Sequence, residues 1–344
     1  MEQRHVSFAG LPEESTILFL RGAGVLIATV TLTGLVANAF VVVAVLGSRR
    51  MRCAAINLLL ANLAITDFLY LLSRTAIWIP FVITARHEWV GPKFLCPIER
   101  YLSQSFIMMS ILTYFAIAIE RYLAIVHPLH IHQQLCKRCR ITITFIWAFT
   151  LTCQLPIYLM FQGIVNFGDY EFDERMCGNP HFPPLYLVSW IWLWTIFSII
   201  YIIPTVVSTV LYFKICRVLW ASNGLRTNSL PAPIKSSSTG HQSLTNLDGR
   251  RNVVKMLIIC VLVFYISYTP LAVFYMWGAI FNVRMDVPLE FEFAALLLVM
   301  FSSALNPFLY TLFSRTFRDR LFCICRRVLS RKSTTESTLV NGSL

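Results

Sequence analysis

The sequence predicts an all-α membrane protein, a seven-transmembrane helix bundle with a short amphipathic eighth helix. Composition is the first sign: 57% of the 344 residues are apolar, 13% are charged, and the mean hydropathy is +0.66. Segment length is the second. A helix crosses the hydrocarbon with about 20 predominantly apolar residues, and such runs occur at 22–47, 54–82, 97–126, 141–162, 186–213, 253–281 and 291–313. Each must be helical, because lipid offers no partner to an exposed backbone N–H or C=O. Charge placement is the third. The loops at 48–53, 127–140 and 214–255, with the tail from Ser314, sum to +17, whereas the N-terminus and the other three loops sum to −5. Positive charge marks the cytoplasmic side. The expected localisation is a multi-pass plasma-membrane protein with an extracellular N-terminus and a cytoplasmic C-terminus. The net charge of +12 is thus a topology signal and no mark of nucleic-acid binding.

Residues 1–21 form a short extracellular N-terminus without the basic-then-apolar start of a cleavable signal peptide. The first span, followed by "SRRMR", is expected to act as the insertion signal. Residues 22–313 form the transmembrane domain. Its third inner loop, about 221–249, is rich in Ser, Asn, Gly and Pro and is expected to be disordered. Residues 314–327, "SRTFRDRLFCICRR", follow. Phe313, Phe317 and Leu321 recur every four positions among basic residues, the pattern of a helix lying on the membrane surface. Residues 328–344 form a polar, hydroxyl-rich tail, expected to be disordered, and phosphorylation there or at Ser236–Thr239 would add charge for an Arg/Lys-lined partner. A plain solvated linker accounts for the same composition.

Ten cysteines divide by compartment. Only Cys96 and Cys177 fall on the outer side, where a disulfide persists. Cys136 and Cys139 form a lone CxxC in an inner loop, a weak sign of redox or zinc chemistry. Cys323 and Cys325 stand among basic residues just past the last span, a setting for palmitoylation as well as for plain buried thiols.

Ionisable residues inside spans are costly and are usually functional or paired. Asp67 lies within the second span, and Asn38, Ser110, Ser302, Ser303 and Asn306 lie at depths that can converge on it. Oxygen ligands around one carboxylate suit a hard cation or a water cluster, and equally a protonated Asp satisfied by hydrogen bonds. Arg74 lies two turns outward of Asp67. It can pair with Glu99 of the third span, or it can offer its charge to an anionic ligand group. Pro80, Pro156, Pro204, Pro270 and Pro307 interrupt helices and permit kinks.

Taken in order, the motifs resemble the rhodopsin-like (class A) G-protein-coupled receptors over nearly the whole chain. They are "GLVAN" with Asn38, "LANLAITD" with Asp67, "EWVGPKFLC" ending at Cys96, and "ERY" 24 residues later. Trp147, Pro204 with Tyr212, Phe264 with Pro270, and "NPFLY" with Asn306, Pro307 and Tyr310 complete the set. The resemblance implies that Glu120 holds Arg121 at rest, beside Tyr122, and that the active state frees Arg121 for a Gα C-terminal helix. Tyr212 and Tyr310 are expected to move toward Arg121 as the sixth helix swings outward. Ile111, Pro204 and Phe264 match the family's packing switch, with Tyr268 and Pro270 in the sixth-helix motif. Asp67, Ser110 and Asn306 match its sodium site, so no cofactor is required and the resemblance allows an allosteric sodium ion, a match that Ser302 in place of the family's Asn weakens. Heterotrimeric G protein, arrestin, receptor kinases and membrane lipid are the implied partners.

Several positions depart from the family pattern. Tyr268 stands where Trp is common, Ser267 where Cys is, and Ser302 where a seventh-helix Asn is expected. Arg250 and Arg251 occupy the start of the sixth helix, where some members carry an acid to clasp the third-helix Arg. Without that clasp, appreciable basal signalling is expected.

Ser103 and Gln104 occupy the place of an amine-receptor Asp, and no Lys occurs between Leu289 and Ser314 for a retinal Schiff base. Both ligand classes are disfavoured. The loop "GDYEFDERMC", with Glu290 and Glu292, makes an acidic vestibule that would attract a cationic peptide, although an acidic surface also arises without a ligand. The segment from Glu120 to Thr150 is similar to neuropeptide receptors, loosely those for thyrotropin-releasing hormone and invertebrate amidated peptides. The resemblance implies an extracellular peptide ligand and a pocket of Ser103, Gln104, Ile107, Tyr268, Leu271, Tyr275 and Glu292, with Arg74 deeper. A receptor for a lipid or small carboxylate metabolite, anchored on Arg74, is the alternative. A transporter is disfavoured because the halves show no repeat. An enzyme is disfavoured because no HExxH or paired Asp lies in the spans.

Overall fold

The computed structural model describes residues 13–84, 92, 94–127, 135–161, 194–195, 197–227, 239–281, 289–315, 317–324 and 326. Every regular element among them is helical. Helix α1 spans Glu13–Leu46 and α2 spans Ala55–Thr84, separated by a four-residue turn, Arg49–Arg52, capped by Ser48. Helices α3 (Leu95–Val126) and α4 (Leu135–Phe161) follow. A π-helical turn, Ser198–Ile202, leads into α5 (Ile203–Thr227). Helices α6 (Thr239–Phe281) and α7 (Leu289–Phe313) contain Pro270 and Pro307, and a tail helix, α8, covers 317–324.

The seven long helices match the seven predicted spans. Six of them are long and apolar enough to cross a membrane by length and composition alone. The seventh, α4, opens on Lys137, Arg138 and Arg140, and the side chains at 156–161 lie outside the described residues.

Polarity in the bundle is inverted relative to a water-soluble domain. Leu18, Val25, Leu32, Val206, Phe213, Ile266 and Leu312 are exposed on its outer faces, while Asn38, Thr66, Asp67, Ser105, Thr113, Thr150 and Asn306 are buried within. A hydrocarbon solvent rewards this arrangement, since lipid offers polar groups no partner and the buried ones bond their own helix or its neighbours. Helix α3 is central and packs against α2, α4 and α5, while α1 packs on α2 and α7, and α6 packs on α7. Close approach requires small residues where α1 meets its neighbours. A Cβ at Gly34 would stand 2.5 Å from Leu71 Cδ1 and 2.9 Å from Ala304 Cβ.

The third inner loop differs from expectation. Helix α5 continues to Thr227 and α6 begins at Thr239, so helix enters the stretch 221–249 from both sides. No proline stands between Trp220 and Pro231, nor between Thr239 and Pro270, so nothing removes the backbone donors that propagate each helix. Residues 228–238 and the tail beyond Arg326 lie outside the described residues, as does most of the N-terminal segment.

Helix α8 forms where the phenylalanine spacing places it. Phe317 is buried, and its ring meets Tyr310 of α7 at 5.7 Å. Leu321 and Phe313 are half-buried, while Phe322 is exposed.

Candidate functional site

Three clusters run along the bundle axis. The first lies at the end that the charge pattern assigns to the cytoplasm. Adjacent residues Glu120 and Arg121 near the end of α3 form a two-pronged ion pair. Arg121 Nη2 donates to Glu120 Oε1 at 2.6 Å, and Nε donates to Oε2. Their side chains are 11% and 19% exposed, buried enough to need a partner yet near enough to water for the pair to open. Tyr122 packs its ring on His127 at 5.5 Å, and Lys214 Nζ of α5 lies 5.9 Å from the Tyr122 centroid. Tyr212 and Tyr310 are buried, and neither hydroxyl has a hydrogen-bond partner among the described residues. Each is a dipole ready to accept a new partner.

Among the described residues, Glu120 is the partner of the Arg121 side chain, and none comes from the sixth helix. Arg250 is exposed. Arg251 turns to α5, where Nη2 donates to the Leu219 carbonyl at 2.9 Å and the guanidinium lies 5.9 Å from the Trp220 ring. Sequence reasoning placed two arginines here but missed this α5–α6 tie, since a backbone acceptor leaves no residue signature.

The second cluster surrounds Asp67. Asn306 Nδ2 donates to Asp67 Oδ2 at 2.8 Å, and Ser110 Oγ lies 3.4 Å from Oδ1. Thr66 Oγ1 is 3.0 Å from Ser110 Oγ, and the Tyr114 hydroxyl donates to Asn306 Oδ1 at 3.0 Å. Asn38 Nδ2 reaches across to the Ser303 carbonyl at 3.1 Å. Thus the structure brings Asp67, Ser110 and Asn306 together. Asp67 and Ser110 offer the hard oxygen donors that a sodium ion takes. Ser302 turns away, its hydroxyl bonded to the Val299 carbonyl of its own helix at 2.8 Å. Tyr114, unmarked in the sequence, links this cluster to Phe264 of α6. Its ring lies 5.1 Å from Phe264, which stacks on Tyr268 at 6.0 Å.

Around that stack, Tyr201 of the π turn contacts Tyr265 and Tyr268, and its hydroxyl lies 2.5 Å from Thr269 Oγ1. Ile111, Phe264 and Pro204 are buried, Pro270 is half-buried within α6, and Pro307 is buried within α7. The π turn widens α5 one turn before Pro204 and aims Tyr201 at α6, a local irregularity that apolar periodicity does not reveal.

The third cluster is at the opposite end. Arg74 Nη1 donates to Glu99 Oε1 at 3.2 Å, the ion pair that one of the two sequence readings of Arg74 describes. Ser103 and Ile107 are buried on α3, whereas Gln104, Tyr268 and Leu271 are half-buried. The side chains of Tyr275 and Glu292 lie outside the described residues, as do the Cys96 side chain, Cys177 and Cys325. Cys323 is half-buried on α8.

The CxxC serves packing. Cys136 donates to the Cys53 carbonyl, and buried Cys139 donates to the Ala55 carbonyl at 3.4 Å, tying the start of α4 to α2. Cys139 precedes the fourth span, and burial pushes its thiol up to about 12, unfavourable for a thiolate ligand or nucleophile. Deeper, Trp147 Nε1 donates to Asn62 Oδ1 at 2.9 Å, and Asn62 Nδ2 donates to Thr113 Oγ1 at 2.8 Å, joining α4, α2 and α3.

Seven long helices with lipid-compatible outer faces and an internal polar axis define a multi-pass membrane protein. The family model described as "7 transmembrane receptor (rhodopsin family)" matches residues 37–310. The chain belongs to this family, which is a family of receptors and not of enzymes. It is 35% identical over 301 residues to Neuropeptide receptor 15 of Caenorhabditis elegans, covering 85% of this chain and 86% of that one. Over 343 residues it is 29% identical to the human Thyrotropin-releasing hormone receptor, covering 90% and 80%. A Caenorhabditis elegans protein, the Galanin-like G-protein coupled receptor npr-9, is 27% identical over 352 residues, covering 93% and 78%.

Proposed function

We propose that this receptor binds an extracellular peptide and activates heterotrimeric G proteins from the plasma membrane, with its N-terminus outside and its C-terminus in the cytoplasm. The observation that carries the coupling half is the Glu120–Arg121 pair at the inner mouth, with Arg251 bonded to α5 instead of supplying any clasp. The names of the relatives support the peptide half.

In this mechanism, ligand contact shifts the Tyr201–Tyr268–Phe264 stack, and α6 swings about Pro270. The opening exposes Arg121, and the fixed guanidinium then donates to carbonyls at the C-terminal end of a Gα helix, where the helix dipole is negative. Tyr212 and Tyr310 supply hydroxyls to hold the open form. A sodium ion, bound by Asp67 and Ser110, would favour the closed form by tying α2 to α3. A Cys96–Cys177 disulfide, acylation at Cys323 and Cys325, and docking of arrestin and kinases on the tail complete the proposal.

A screen of peptides against lipid acids, read by calcium and cyclic-AMP reporters, tests the ligand class and shows the G-protein route. Peptide responses support the proposal. Responses to lipid acids alone would favour the carboxylate reading, which the engaged state of Arg74 weakens.

A further inference from the structure

Cys53 and Cys136 stand 83 positions apart in sequence yet meet at the inner ends of the helices. Cys53 caps the turn Arg49–Arg52 that leads into α2, and Cys136 lies in the first turn of α4. The Cys136 thiol donates to the Cys53 carbonyl. One turn along α4, Cys139 Sγ donates to the Ala55 carbonyl at 3.4 Å, so two contacts in register seat the start of α4 on residues 53–55. Both Cys53 and Cys136 are free thiols, the first exposed and the second half-buried. A carbonyl oxygen stands about 3 Å from the Cβ of its own residue. Cys136 Sγ is therefore within a side-chain length of the Cys53 thiol. Rotation about the Cys53 Cα–Cβ bond, open because the side chain is exposed, brings sulfur toward sulfur.

We infer that Cys53 and Cys136 form a reversible disulfide in response to a hydroperoxide, tying the first inner turn to the entry of α4. This inference rests on the cytoplasmic placement of that end and is independent of the ligand. Glutathione keeps cytoplasmic thiols reduced, so a pair placed there cycles instead of staying bridged. Exposed Cys53 is the first target. Its sulfur attacks the peroxide, an S–O bond forms, the O–O bond breaks, and the thiol proton leaves with the departing oxygen as water. The Cys136 sulfur then attacks the sulfenic acid. The S–S bond forms, the S–O bond breaks, and a second water departs. Two thiols and hydrogen peroxide thus give one disulfide and two waters, with two electrons passing from the sulfurs to the peroxide. Glutathione reverses the change by thiol–disulfide exchange. Cys139 takes no part, because it is buried and bonded to α2.

The test treats the full-length receptor in native membranes with hydrogen peroxide, alkylates the remaining thiols and maps the digested peptides by mass spectrometry. The expected product is a peptide pair joined through Cys53 and Cys136. Alkylation of Cys53 should fall about fivefold or more and recover with glutathione. Cys139→Ser should leave the bridge in place. In Cys136→Ser, which lacks the resolving thiol, Cys53 should advance to the sulfinic acid. A Cys136–Cys139 bridge, or Cys53 alkylation unchanged by peroxide, overturns the inference and leaves the cytoplasmic placement intact. The wild-type map decides this even where a variant fails to reach the membrane. A bridge complete before peroxide and resistant to glutathione overturns the inference and the cytoplasmic placement with it.

Discussion

Asn306 of α7 hydrogen-bonds Asp67 of α2 at 2.8 Å while its carbonyl accepts from Tyr114 of α3 at 3.0 Å. One amide therefore fastens three helices at the middle of the bundle. Removing it leaves a buried carboxylate and a buried phenol short of partners. Asn306→Ala should lower stability by about 1–2 kcal/mol, hydrogen bonds between membrane helices being modest individually. Thermal unfolding of the detergent-solubilised receptor checks this, and an unchanged midpoint would count against the link.

Gly34 sits where α1, α2 and α7 converge. Its missing Cβ leaves room for Leu71 and Ala304, and the nearest contact to an added carbon would be 2.5 Å. Leu71 can adjust its end, whereas the Ala304 backbone at 3.2 Å cannot. Gly34→Val should therefore cost about 1–3 kcal/mol through overpacking, seen as reduced folded receptor at the cell surface. Gly22, with open space around it, is the control, and Gly22→Ala should be silent.

Basal output should depend on the charge at the start of α6. Arg250 is exposed and Arg251 bonds the Leu219 carbonyl, so in the proposed mechanism Glu120 holds Arg121 without either arginine's help. Arg250→Glu should add the missing clasp and lower ligand-free signalling severalfold. Wild-type output equal to that of untransfected cells would refute the expectation of basal activity.

Thiol chemistry distinguishes the structural CxxC from a reactive one. The Cys139 thiol stays neutral below its raised value of about 12, and its thiolate grows only as pH rises toward that value. Alkylation by a maleimide from the cytoplasmic side should therefore reach exposed Cys53 first and leave Cys139 unmodified through about pH 9. Rapid labelling of Cys139 at neutral pH would contradict its burial.

Much of this architecture was legible in residue order. Apolar length announced the spans, and Asp67, Arg74 and the adjacent Glu120 and Arg121 stood out because charge within or at the end of a span is rare. The packing partners were not legible. Asn62 lies in a run of ordinary span residues, and only its contacts with Trp147 and Thr113 disclose it. Arg251 meets a backbone carbonyl, and Tyr201 owes its aim to a π turn, neither of which leaves a periodic trace. The helical ends of α5 and α6 within 221–249 likewise escaped composition, which registers Ser and Asn but not the absence of a helix-breaking proline at the junctions.

The most direct measurement follows guanine-nucleotide exchange on a heterotrimeric G protein by receptor in native membranes, with and without an activating peptide. Wild type, Glu120→Gln and Arg121→Ala are compared at matched surface levels. Freeing the guanidinium in Glu120→Gln should raise exchange before peptide is added, and deleting it in Arg121→Ala should abolish the peptide-driven increase. Full peptide-driven exchange by Arg121→Ala would contradict the account at its centre.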